Sequence, residues 1–182
     1  MATTLLLIDI QNDYFPGGAM EVVGAAGAAA RAASLLGAFR ERSLPVIHIQ
    51  HIAARPGATF FLPGTPGAEI HASVRPREGE PVFRKHFPNS FRETPLLEHL
   101  REQGMPKLLI AGMMTHMCID TTTRAAAHLG FSCLVAADAC ATRALAFGDV
   151  RVAAREVQAA YLAALNGLFA KVGAADELLA AL

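Results

Sequence analysis

The run Leu5-Leu6-Leu7-Ile8, opened by Thr4 and closed by Asp9, constrains the fold more than any other stretch. A strand with one wet face alternates apolar and polar residues; this one does not. It belongs in the middle of a parallel sheet covered on both sides. Leu108-Leu109-Ile110-Ala111 has the same character, is broken at Gly112, and leads into a helical pattern that stops at Gly130. Val46-Ile47-His48-Ile49, residues 81–84, 132–137 and 168–172 supply four further strands. Helices are expected over 25–42, with Leu35, Leu36 and Phe39 inward, and from Thr94-Pro95 to Gly104, with Leu96, Leu97 and Leu100 inward. Asp149 is expected to cap a fourth, carrying Val150, Val157, Tyr161 and Leu165 on one stripe, and residues 176–182 form a last short one. Alternating strands and helices describe an α/β domain: a three-layer Rossmann-like fold whose six-stranded, mostly parallel sheet has the order 3-2-1-4-5-6. The 182 residues are read as one domain.

Charge excludes one class of partner. Sixteen Lys and Arg balance sixteen Asp and Glu, so no cationic excess is available to displace phosphate counterions, and nucleic acid is not expected. Apolar stretches are interrupted before membrane-spanning length, and no basic segment precedes an apolar one at the amino terminus. Three cysteines, Cys118, Cys133 and Cys140, are odd in number and show no CxxC spacing. They read as free thiols in a reducing compartment, hence a cytoplasmic location. Gly17-Gly18 lacks the spacing of a dinucleotide loop.

In open α/β sheets, ligands bind beyond the carboxyl ends of the strands, where the winding reverses. With the order above, that point lies between the first and fourth strands. Asp9 ends the first, Lys85 ends the third on the same rim, and Cys118 follows the fourth. Cys118 falls on the first turn of a helix, with Thr115 as its expected cap, and free N–H groups there favour a thiolate. Its position alone fits two readings, a nucleophile or a small side chain filling core space. Asp9 taken alone reads equally as a turn residue, and Lys85 as solvated surface. Residues 51–79 form a long Pro- and Gly-rich connection of the kind that covers active sites, and Phe60, Phe61 and Leu62 give it apolar weight.

Three stretches together resemble the isochorismatase-like cysteine hydrolases, which include nicotinamidases and N-carbamoylsarcosine amidases. They are Asp9-Ile10-Gln11-Asn12-Asp13-Tyr14-Phe15, Lys85-His86-Phe87-Pro88-Asn89-Ser90-Phe91 and Gly112-Met113-Met114-Thr115-His116-Met117-Cys118. The resemblance runs from about Leu5 to Thr142. It implies a catalytic triad of Asp9, Lys85 and Cys118, a non-proline cis peptide at Met113–Met114, a small amide or ureide substrate, and a homo-oligomer, dimer or higher. The backbone N–H groups of Met114 and Cys118 are the expected oxyanion hole. Phe15, His51, Phe60, Phe87 and His116 are candidate substrate contacts.

Nicotinamidase-like relatives carry an Asp-x-His after the second strand that holds a divalent ion. Here those two positions are His51 and Ala53, so no metal or other cofactor is expected, and nicotinamide loses support as substrate. His48, His51 and His71 are the residues left for any cation. Two other functions stay open on the same residues. One is an isochorismatase-type vinyl-ether hydrolase, needing the acid Asp9 more than a thiol. The other is a non-catalytic or redox thiol protein, since fold does not dictate function.

Overall fold

A computed structural model describes residues 3–182. Its main sheet has the strands β1 (Thr3–Ile8), β2 (Val46–His51), β3 (Val82–Lys85), β4 (Lys107–Met113) and β5 (Cys133–Ala141). Two short strands, β6 (Leu145–Phe147) and β7 (Val150–Val152), precede the last strand of that sheet, β8 (Lys171–Gly173). The order is β3-β2-β1-β4-β5-β8. Every neighbouring pair is parallel. With β8 as the sixth strand in the sheet, this is the expected 3-2-1-4-5-6 winding. No helix among the described residues is long and apolar enough to cross a membrane.

The unbroken apolar runs are explained by burial on both faces. Leu5 and Leu7 point into one cluster with α1 (Ala25–Glu41) and α5 (Ala175–Ala180). Leu6 and Ile8 point into another with α2 (Leu96–Glu102) and α3 (Asp120–His128), and Leu162 of α4 (Ala154–Leu165) packs against it. In α1, Ala25, Ala28, Ala29, Ala32, Leu35, Leu36 and Phe39 are buried, a helical i, i+3, i+4 stripe whose small residues let the helix lie close to the sheet.

Four local expectations are corrected. Asp149 caps no helix: it lies in the turn of an antiparallel β6–β7 hairpin, Val150 begins β7, and α4 starts only at Ala154. β5 does not end before Asp138. It continues through a shift in register between Ile110 and Gly112 to Ala141, which places Cys140 within the sheet. Gln158 Nε2 donates to the Ala137 and Cys140 carbonyls at 3.2 and 3.1 Å, holding this irregular segment. β8 is shorter and later than residues 168–172, because Leu168 is exposed and the chain first turns at Asn166–Ala170. α2 begins at Leu96, one residue after Pro95.

Candidate active site

Four neighbouring strands end at one level and deliver four polar side chains. Ile8 pairs with Ile49 and with Gly112, and His51 pairs with Lys85. Asp9 therefore leaves β1 beside the ends of β2 and β4, and Lys85 stands next to His51. Gly112 makes the approach possible: a Cβ there would sit 1.9 Å from the Ile8 carbonyl oxygen, and its φ is +137°. Asp9 itself has φ +53°, a left-handed conformation that Asp tolerates better than most residues. That turn directs the carboxylate away from the strand ladder. The Met113–Met114 peptide is cis.

The Lys85 Nζ lies 2.7 Å from Asp9 Oδ2, with both side chains fully buried. The contact is a close, buried ion pair. The ammonium also donates to the Phe87 and Pro88 carbonyls at 3.1 and 3.2 Å, and faces His51 Nδ1 at 3.4 Å. Burial pulls Lys85 towards neutrality, but the opposing causes, led by the Asp9 charge, outweigh it and its pKa is raised. Lys85 is a fixed cation at neutral pH. It is not solvated surface.

Cys118 Sγ, an Asp9 oxygen and a His51 ring nitrogen lie within 4.8 Å of one another. Cys118 sits in a π-helical turn, Thr115–Ile119, ahead of α3. The expectation is a thiolate favoured by a helix start, whereas these surroundings favour the thiol. Burial, and then the Asp9 charge, push the Cys118 thiol well above its ordinary value, with Lys85 opposing. The resting group is a thiol with a carboxylate beside it. Thr115 is not a cap: its hydroxyl donates to the Ala141 carbonyl at 3.2 Å. Cys133 and Cys140 are both pushed up to about 12 by burial, and all three cysteines are free.

Cys118 and His51 line a cavity of about 260 Å³, with Asp9 and Lys85 buried behind them, and its walls include Tyr14, Phe60, Phe61, Phe87, Met114 and Met117. That volume is at the small end for ligand sites. Of the five candidate substrate contacts, His51, Phe60 and Phe87 line it. Phe15 and His116 do not. The 3₁₀ turn Asn12–Tyr14 rotates successive side chains, so Tyr14 faces the cavity while Phe15 is buried and stacked on His71, centroids 3.7 Å apart. His116 turns to the Thr142 hydroxyl and packs edge-on to Tyr161.

The His51 pKa lies below its ordinary value, through burial first, with Asp9 opposing and Lys85 adding to the lowering. A neutral ring facing Lys85 through Nδ1 carries its proton on Nε2. Its backbone is clamped by Gln11, whose side-chain amide donates to the His51 carbonyl at 2.9 Å and accepts from its N–H at 2.8 Å. Asp13 plays a similar part in the wall. Its carboxylate accepts the Phe61 N–H at 2.6 Å and the Ala19 N–H at 3.2 Å, and it packs so closely on Gly67 that a Cβ there would come within 2.1 Å. Sequence reasoning missed Gln11, Asp13 and Tyr14, although all three lie inside the Asp9–Phe15 stretch, and it named Phe61 only as apolar weight in the 51–79 connection.

The three histidines do not meet. His48 is paired through Nε2 with Glu80 at 2.9 Å, and His71 is stacked on Phe15. Only His51 joins Asp9 and Cys118, and the space among them faces the Lys85 ammonium. The residues here do not fit the divalent-ion site of nicotinamidase-like relatives.

Residues 3–177 match the family model for the isochorismatase domain. The chain belongs to the isochorismatase family. The isochorismatase family protein YddQ of Bacillus subtilis is 50% identical over 179 residues, covering 98% of this chain and 99% of that one. The crystal structure of a protein from Oleispira antarctica assigned to the isochorismatase hydrolases superposes with a TM-score of 0.94 at 50% identity, over 98% of this chain and 96% of that one. The nicotinamidase/pyrazinamidase of Mycobacterium tuberculosis is 27% identical over 179 residues, covering 84% of this chain and 96% of that one. The family is one of hydrolases, and its members act on amides and related C–N bonds.

Proposed function

We propose that this family member is a metal-independent cysteine hydrolase, one that cleaves a C–N bond of a small amide or ureide through a thioester on Cys118. What supports the reading is a thiol that lines the cavity, with a buried carboxylate within 4.8 Å of the sulfur and an ammonium 2.7 Å from that carboxylate.

Asp9 takes the Cys118 proton as sulfur attacks the carbonyl carbon, forming the C–S bond and placing charge on the carbonyl oxygen. The N–H groups of Met114 and Cys118, both lining the cavity, receive that oxyanion. Collapse breaks the C–N bond as the protonated Asp9 returns its proton to the leaving nitrogen. Asp9 then takes a proton from water, the resulting hydroxide attacks the thioester, and the acid leaves while the thiol is restored. Lys85 keeps positive charge beside Asp9 and the sulfur throughout. The 182 residues act as one catalytic domain, working in the cytoplasm as a homo-oligomer. Three free cysteines are consistent with a reducing compartment.

Intact-mass spectrometry after brief mixing with a panel of amides and ureides tests this. An adduct equal to the acyl group less one hydrogen is expected on Cys118. In Cys118→Ala both the adduct and turnover should vanish, the latter by about 10⁴-fold or more, with thermal unfolding retained. Full turnover of any substrate by Cys118→Ala would remove the nucleophile. Survival of vinyl-ether cleavage in that variant would favour the isochorismatase-type reaction.

A further inference from the structure

The cavity wall carries a charge that the chemistry of the floor leaves unused. Residues 53–61 leave the sheet and return, their ends tied by the Ala53 N–H donating to the Phe61 carbonyl at 2.8 Å. At the tip of this excursion the Ala58 N–H donates to the Arg55 carbonyl at 3.3 Å, closing a turn through Pro56 and Gly57. Gly57 supplies the positive φ, +76°, that such a turn uses. Arg55 is thereby held as part of the cavity lining. It is the only arginine there, and no carboxylate pairs with it among the described residues.

The rest of the lining is apolar, aromatic or basic. No acidic side chain lines the cavity, and Asp9 beneath it is already paired with Lys85. Arg55 is exposed to solvent and lines the cavity, and its positive charge adds to the causes that disfavour protonation of the His51 ring. His86 uses Nδ1 on the Ile52 carbonyl at 2.8 Å, which leaves its Nε2 edge available to the cavity. A neutral ligand would leave the guanidinium's five donors to water. A carboxylate would meet a planar fork matched to its own shape.

Resting on the thioester reading above, we propose that the substrate is an amide or ureide bearing a carboxylate, and that Arg55 receives this carboxylate while the scissile carbonyl lies over Cys118. The class is that of monoamides of dicarboxylic acids and N-carbamoyl amino acids. The apolar walls between Arg55 and the floor take the carbon spacer.

The test pairs each acid with its methyl ester: the monoamides of succinic, glutaric and phthalic acids, and a set of N-carbamoyl amino acids. Wild-type protein should prefer acid over ester in kcat/KM. Arg55→Ala should shrink that preference by about 10- to 100-fold, chiefly through KM for the acid, and Arg55→Lys should restore part of it. Titration calorimetry of the same pairs into Cys118→Ala protein, with and without Arg55→Ala, reads the carboxylate site without any turnover. An acid preference that Arg55→Ala removes supports the site even if no substrate is hydrolysed. Absence of both hydrolysis and a Cys118 adduct across the panel would instead sink the thioester reading. Esters handled as well as acids, or a preference untouched by Arg55→Ala, would overturn the role of Arg55 and leave the chemistry standing.

Discussion

The floor and the wall of the cavity are built by different means. Asp9, His51, Lys85 and Cys118 stand at the ends of four adjacent parallel strands, in a register set by the whole sheet. Phe60, Phe61 and Arg55 ride on a connection held by a handful of bonds, among them Asp13 to the Phe61 N–H and the Ala53–Phe61 pair. The floor cannot move without disturbing β1 to β4. The wall can be altered at a single carboxylate. On the proposed reading, chemistry and substrate preference should therefore be separable in this protein.

Lys85→Met should give the largest effect, because it attacks the floor. It strands Asp9 as a buried carboxylate without its partner, a change worth about 3–5 kcal/mol, and it removes turnover as well. Thermal unfolding and steady-state kinetics read both. The pairing of Lys85→Met with Asp9→Asn sharpens the point: most stability should return while activity stays absent. Stability that stays lost in the double variant would mean that the pair is not the source of the cost.

Asp13→Ala attacks the wall. The buried Phe61 N–H and the more exposed Ala19 N–H lose their acceptor, at about 1–3 kcal/mol for the buried one, and the Phe61 segment loosens. KM should rise about tenfold with kcat held within a few-fold, in the opposite pattern to the floor. A kcat loss as large as that of Lys85→Met would break the distinction.

Glu80→Gln lies outside both regions and should have the smallest effect. Hydrogen bonds from Arg40 lower the Glu80 pKa from 4.5 to about 2, with burial opposing and the Arg77 N–H and His48 assisting. A depressed carboxyl pKa stabilises the fold fully above pH 4.5 and loses that contribution as pH falls towards 2. The wild type should exceed Glu80→Gln by about 1–2 kcal/mol at pH 7, and the gap should close near pH 2. A gap unchanged between pH 7 and pH 2.5 would show that the carboxylate's charge is not what matters there. Kinetics at pH 7 should not change.

Much of the sheet was legible because its strands carry a burial pattern in their own residues. Leu5 to Ile8 and Leu108 to Ala111 are apolar on both faces, and α1 shows its stripe in Ala, Leu and Phe. The β6–β7 hairpin was not legible. Its strands are three residues each, Phe147 is 91% exposed and Val150 is 63% exposed, so neither burial nor alternation marks them. Asp138 misled for another reason. Its carboxylate accepts the Ala175 N–H at 2.7 Å and pairs with Arg31 at 3.3 Å, contacts made by chain far away that let a charged residue sit inside a strand. Phe15 and His116 carried suitable chemistry at suitable positions, and only the pitch of a 3₁₀ turn and a π turn sent them elsewhere.

By itself, the order of residues determined which strands lie inside, how they wind, and that Asp9, Lys85 and Cys118 end near one rim. Those features follow from hydrophobic periodicity and from the handedness of parallel crossovers, both local to short stretches of chain. Tertiary structure alone decided that Cys118 rests as a thiol, that Lys85 is a buried ion, and that Tyr14, Phe61 and Arg55 shape the cavity. Ionisation depends on the dielectric and charges gathered around a group, and a wall depends on which loops meet. Both are set by parts of the chain that no local pattern connects.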